Sequence, residues 1–147
     1  MNFFAEYGYT GLFIASFLAA TILPLGSEFV LIYLLMNNYD PFLSIMVATA
    51  GNVLGSVINY ALGFWGSFLL MEKLLRLSQT EIARSEKRFR KYGVFSLLFA
   101  WVPIIGDPLT VAAGVLKINI YLFLSLVTAG KVLRYIIVGI SVLPLQV

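Results

Sequence analysis

With 147 residues, 61% of them hydrophobic and only 12% charged against about a quarter in ordinary soluble domains, the chain carries more apolar surface than a soluble fold of its size could bury. It has no cysteine and no histidine, which excludes disulfides, thiol nucleophiles, zinc sites with the usual ligands and Ser-His catalytic pairs. The net charge of +3 is unevenly placed: seven of the ten basic residues fall between Lys73 and Lys91, beside only Glu72, Glu81 and Glu86, and that stretch is the one clearly aqueous segment.

In chain order, Met1 to Gly8 carry Glu6 and no Lys or Arg, unlike the start of a cleaved signal peptide, so Met1 to Val147 is expected to be the mature, single-domain chain. Four apolar stretches follow, Tyr9 to Met36, Phe42 to Leu70, Tyr92 to Leu116 and Ile118 to Leu143, each longer than the ~20 residues a helix needs to cross a bilayer. Hydropathy alone fits a plain bundle of four spanning helices. Two of the stretches argue against it. The first is interrupted by Pro24-Leu25-Gly26-Ser27-Glu28 and the third by Pro103-Ile104-Ile105-Gly106-Asp107-Pro108. Proline removes a backbone donor and clashes with the preceding turn, and a carboxylate at that depth costs roughly 2.5–3.5 kcal/mol on insertion. Breaks built on Pro24, Gly26, Pro103, Gly106 and Pro108 are tolerated at membrane depth only where protein buries them or they line a wet cavity.

The second stretch is uninterrupted. Its Gly51, Gly55, Asn59 and Gly63, at successive intervals of four, form a nearly smooth strip for close helix packing, with Asn52 or Asn59 as interhelical hydrogen-bond donors. Beyond it, Ser78-Gln79-Thr80-Glu81 fits a capping box, which predicts a short helix from about Gln79 to Lys91 whose charges form a solvated face beside anionic headgroups. Trp65, Tyr92, Trp101 and Tyr121 read as interface anchors and packing residues.

Sliding the chain against itself by 79 residues brings Pro24 onto Pro103, Glu28 onto Asp107, Leu43 onto Leu122, and Thr49-Ala50-Gly51 onto Thr128-Ala129-Gly130 without a gap. Leucine, alanine and threonine matches mean little in so apolar a chain; the proline, acid and glycine matches mean more. The expected fold is an all-α membrane protein, an inverted repeat of two re-entrant helical hairpins each followed by a transmembrane helix. Repeat 1 covers about 9–70, a basic linker about 71–91 and repeat 2 about 92–143. Each half then crosses the membrane once and both chain ends face outward. Lys73 to Lys91 and Lys117 share the cytoplasmic face, as the positive-inside rule requires, whereas the four-helix alternative leaves Lys117 outside.

Four ionisable residues lie within apolar stretches: Glu28, Asp107, Lys131 and Arg134. Such residues pair with one another or line a substrate path. Two acids balance two bases, so structural ion pairs are a serious alternative to a binding site. Against that, each acid sits beside glycine and proline at a helix break, where backbone N–H groups are free to hold an anion. Lys131 and Arg134, three residues apart, share one helical face. A cation pair facing two half-helix ends suits a phosphate or another anionic headgroup, and the two carboxylates are candidate proton carriers, since an acid at mid-depth is costly to keep ionised without a cation.

At Pro24 to Glu28, Gly51 to Gly66 and Trp101 to Tyr135 the sequence resembles the DedA family of bacterial inner-membrane proteins, which shares its core with the VTT-domain lipid scramblases, and within it the short YqaA-type branch. The resemblance covers nearly the whole chain; its most telling pieces are Tyr92-Gly93, Trp101-x-Pro103-x-x-Gly106-Asp107, Gly114 and Gly130-Lys131-x-x-Arg134-Tyr135. It implies two facing re-entrant hairpins, a bacterial inner-membrane location, and movement of undecaprenyl phosphate or phospholipid linked to protons, with Glu28 as the essential acid of the first hairpin. Larger members place arginines in the second hairpin, where this chain has Trp101 before Pro103 and Asp107 after it; Lys131 and Arg134 are the candidates to replace them.

The function expected is transport or lipid translocation of an anionic substrate, without catalytic residues, metal or cofactor. Its expected partners are the bilayer, an anionic lipid or lipid-linked substrate and a second copy of the chain, with no nucleic acid. Two other classes stand beside it: an intramembrane hydrolase in which Glu28 or Asp107 activates water on a lipid pyrophosphate, and a structural subunit with no substrate.

Overall fold

A computed structural model describes residues 3–21, 26–68, 93–102 and 106–146, together with Thr80, Lys87 and Lys91. Pro24, Pro103, Tyr92 and most of the expected linker helix lie outside them. Every regular element among the described residues is helical: α1 (Phe3–Thr21), α2 (Ser27–Met36), α3 (Pro41–Phe68), a 3₁₀ segment (Val94–Trp101), α4 (Gly106–Val115) and α5 (Ile120–Val142), which closes in a 3₁₀ turn over Leu143–Gln146.

Local chemistry sets these limits. In the last turn of α1 the Thr21 hydroxyl donates back to the carbonyls of Phe17 and Leu18, both at 3.3 Å, and α2 starts at Ser27. Between them Gly26 has φ 156°, a conformation that residues with a Cβ rarely adopt. Pro41 opens α3 at the position where its missing N–H costs nothing, and the preceding Asp40 side chain accepts from the Leu43 N–H at 2.7 Å. Asn119 does the same for α5, accepting from Tyr121 at 2.9 Å and Leu122 at 3.4 Å.

Helix length decides what each element can do. At 1.5 Å per residue the 28 residues of α3 reach about 42 Å and the 23 of α5 about 34 Å, and both are apolar enough to cross a hydrocarbon core of about 30 Å. The ten-residue α2 and α4 reach only about 15 Å. α1 and α2 fold back on each other, so that Tyr9 near the start of α1 meets Tyr39 just after α2, edge to face at 5.3 Å. α3 and α5 lie antiparallel: Ile45 neighbours Gly139 near one end, Asn52 meets Lys131 in the middle, and Tyr60 packs on Phe123 at 4.6 Å towards the other. The turn after α4 lies against that last end of α3, where the Tyr60 hydroxyl donates to the Ile118 carbonyl and Lys117 Nζ stands 5.6 Å from the Phe64 ring centre.

α3 is the element against which the other four α-helices pack, while the 3₁₀ segment rests on α4 and α5. A Cβ on Gly51 or Gly55 would run into the Phe13 or Phe17 carbonyl of α1, and one on Gly63 into the Val111 carbonyl of α4. Backbones come this close only where side chains are missing. Asn59 donates to the Ala20 carbonyl at 2.7 Å and to Thr110 Oγ1 at 3.2 Å, tying the last turn of α1 to α4. Two apolar clusters result. One gathers Leu12, Leu31, Leu35, Ala48 and Tyr135; the other gathers Tyr60, Leu97, Ala113, Phe123 and Val127. On α3 the buried Asn52 and Ser56 fall between the clusters, and on α5 so does the buried Lys131.

Element limits recur at one spacing. α2 and α4 are equally long and begin 79 residues apart, as do α3 and α5, and so do the capping residues Asp40 and Asn119. Both short helices end in the same wrapped turn: Asn38 N–H bonds Leu35 O and Tyr39 N–H bonds Leu34 O, while Lys117 N–H bonds Gly114 O and Ile118 N–H bonds Ala113 O. Asn38 (φ 61°) and Lys117 (φ 51°) take the left-handed conformation that this turn requires.

Candidate functional site

α5 packs on α2, reaches the first turn of α4 through Lys131, and presents Lys131, Arg134 and Tyr135 from its middle, with Lys131 about 16 Å along its axis. Glu28 lies in the first turn of α2 and Asp107 in the first turn of α4, where unpaired N–H groups and the helix dipole favour negative charge. Each acid meets one cation. Arg134 Nη2 is ion-paired with Glu28 Oε1, and Lys131 Nζ lies 3.9 Å from Asp107 Oδ1.

The two pairs are not alike. The arginine and Glu28 side chains are both largely buried and in direct contact, whereas Lys131 is 2% exposed beside an Asp107 that is 26% exposed and too far for a hydrogen bond. The direct partner of Lys131 is the Asn52 side-chain carbonyl. An ammonium has three donors, so Lys131 keeps capacity for an anionic ligand beside Asn52, and Arg134, with five donors, keeps some as well but has its charge balanced by Glu28.

Between the pairs runs a set of neutral hydrogen bonds. Asn52 Nδ2 donates to the Tyr135 hydroxyl at 2.9 Å, and that hydroxyl is 3.0 Å from Ser27 Oγ. The Arg134 guanidinium lies 5.9 Å from the Tyr135 ring centre. Ser27, Asn52, Lys131 and Tyr135 are all buried. A continuous contact therefore runs from Asp107 through Lys131, Asn52, Tyr135 and Ser27 to the first turn of α2, next to Glu28.

Of the residues singled out in the sequence, Glu28, Asp107, Lys131 and Arg134 converge here. Gly106 opens α4, its Cα pressed on the Ala100 carbonyl of the 3₁₀ segment, and Pro108 stands exposed in the first helical turn, where no intrahelical donor is needed. Gly51, Gly55, Asn59 and Gly63 take part in helix contacts, not in the charged site. Sequence reasoning gave Tyr135 and Ser27 no role and Asn52 only a packing one. Two signals were available: Tyr135 is four residues from Lys131 and so shares its face, and Asn52 stands 79 residues before Lys131.

The VTT domain matches residues 23–142, which contain every member of this site. The chain is 35% identical over 129 residues to Inner membrane protein YqaA of Escherichia coli (strain K12), covering 87% of this chain and 86% of that one. It is 30% identical over 145 residues to the alkaline phosphatase-like protein of Lactococcus lactis subsp. lactis, covering 90% and 68%. It is also 25% identical over 138 residues to Undecaprenyl phosphate transporter A of Staphylococcus aureus, covering 83% and 66%. No solved structure matches the chain. A domain match over most of the length, and such likeness to a protein of nearly equal extent, make this chain a helical membrane protein of the VTT-domain family, in its YqaA-type DedA branch.

Proposed function

We propose that this protein moves an anionic lipid or lipid-linked substrate, a polyprenyl phosphate or a phospholipid, across the bacterial inner membrane with its movement coupled to protons. In this reading the α1–α2 pair and the pair formed by the 3₁₀ segment and α4 are re-entrant hairpins that dip from opposite faces, related as inverted repeats, while α3 and α5 cross. The dips are supported by length, since α2 covers about half the hydrocarbon thickness and α1 returns to it from a Tyr9–Tyr39 contact at the same end. The inversion is supported by the antiparallel course of α3 and α5 and by the caps and wrapped turns that recur 79 residues apart. The basic linker and Lys117 then face the cytoplasm, and a second copy would complete the path around so small a bundle.

The observation that carries the proposal is the meeting of two helix-first-turn acids with two buried cations midway along α5. Protonating Asp107 removes its attraction for Lys131 and leaves that ammonium to a phosphate headgroup. Deprotonation restores the competitor and releases the anion. The transporter name of the S. aureus relative favours the same class. A second reading, hydrolysis of a lipid pyrophosphate, has the phosphatase-like name of the L. lactis relative behind it, but here each carboxylate is paired with a cation.

In proteoliposomes, translocation of a labelled polyprenyl phosphate or acidic phospholipid should respond to an imposed proton gradient. It should fall about tenfold or more in Lys131→Met, the loss of one charge-assisted contact. Rates unchanged in Glu28→Gln and Asp107→Asn, and by collapse of the gradient, would remove the coupling; a wild-type rate in Lys131→Met would remove the site. Phosphate release from a polyprenyl pyrophosphate by the purified protein would favour the hydrolase.

A further inference from the structure

We propose that the turn joining α4 to α5 is a docking site for an anionic phospholipid, with the headgroup phosphate on Lys117. The site would be the place where a substrate is first held; only that last step rests on the translocation reading, and the docking itself stands on separate residues. Lys117 is exposed and sits between two hollows that share Lys117, Ile118 and Asn119. One, of about 500 Å³, is walled by Val57, Ala61, Phe64, Trp65 and Ile120; the other, of about 400 Å³, by Val94 and Leu122. Both volumes are in the range of ligand sites, roughly 300–1,000 Å³. A cation flanked by apolar hollows is complementary to an amphiphile with one phosphate and hydrocarbon chains, and is unsuited to a soluble anion, which would leave the hollows unfilled. Trp65, 78% exposed on the rim, is the residue type that settles at headgroup level.

The floor is fixed. Ile118 is buried and its carbonyl accepts from the Tyr60 hydroxyl, and Tyr60 is itself packed on Phe123. The identity of residue 117 is the telling point. Its wrapped turn needs a left-handed residue, a place for glycine or asparagine, and the matching turn after α2 has Asn38. A lysine there serves the turn poorly, so its use lies in the side chain, which reaches over the Phe64 ring. At the other end, Tyr39 is packed against Gly8 and Tyr9, so the feature is one-sided.

The arrangement also supplies a test in which the key variant does not threaten folding. The chain has two tryptophans, so Trp101→Phe leaves Trp65, beside the site, as its sole tryptophan, which can be excited selectively over the tyrosines. The full-length Trp101→Phe protein is placed in phosphatidylcholine nanodiscs and titrated with phosphatidic acid or phosphatidylcholine carrying the same brominated chains. Phosphatidic acid should quench Trp65 at about a fivefold lower mole fraction, the preference one lysine at headgroup level confers. Lys117→Asn should abolish that preference with thermal stability equal to or above the parent, and Lys117→Arg should keep it. Equal quenching by both lipids in the parent, or a preference that survives Lys117→Asn, overturns the proposal. Lys131→Met, which tests the central transport site, should leave the preference intact; its loss there would assign the binding to the central cation and likewise overturn the proposal.

Discussion

Arg134 and Glu28 define the energetics of the site because one of them can discharge and the other cannot. Removing one partner of a buried ion pair costs about 3–5 kcal/mol when the other stays charged. After Arg134→Gln, Glu28 can take up a proton or rest on the α2 N-terminus; after Glu28→Gln, the guanidinium keeps its charge. Thermal unfolding in detergent should therefore rank Glu28→Gln as the less stable single variant, with Glu28→Gln/Arg134→Gln recovering part of the loss. The reverse ranking would mean that this contact does not govern stability. Tyr135→Phe tests the neutral hydrogen bonds: it strands Asn52 Nδ2 and Ser27 Oγ and should cost about 1–3 kcal/mol by the same measurement, though it deletes a single oxygen. Charges in an apolar run are conspicuous in the sequence, so the four ionisable residues were legible. Their pairing was not, because it depends on how α2 and α4 are presented to α5, which no local pattern encodes.

At the scale of elements, the recurrence of small residues on α3 could be read from spacing alone, since intervals of four always fall on one helical face. What the interval cannot say is that the strip serves two neighbours, Gly51 and Gly55 against α1 and Gly63 against α4. Gly55→Val should force α1 and α3 apart and destabilise by about 1–3 kcal/mol or more. Gly11→Ala makes a useful contrast: a Cβ there meets nothing within 4 Å, so the substitution should be neutral or stabilise the α1 interior by up to about 1 kcal/mol. Equal losses for the two would argue against close packing at Gly55. The 3₁₀ form of Val94–Trp101 had no signature in the sequence; an apolar run reads alike in either helix type.

For the whole molecule, sidedness is the quantity that separates two dips and two crossings from four rods. Cysteines introduced singly at Asp40, at Lys117 and after Val147 of this cysteine-free chain can be labelled from outside intact cells by an impermeant reagent. Two dips and two crossings predict labelling at Asp40 and the C-terminus and protection at Lys117; labelling of Lys117 from outside would restore the four-rod topology. The sequence by itself determined that the chain belongs in a membrane and which charges are held in apolar surroundings, because composition and hydropathy act locally. Only the tertiary structure decided that Arg134 takes Glu28, that Lys131 takes Asn52 and lies near Asp107, and that Lys117 stands beside Phe64. Those outcomes come from the way the folded-back helices and the antiparallel α3 and α5 bring residues far apart in sequence to one depth, and a linear pattern carries no information on relative depth.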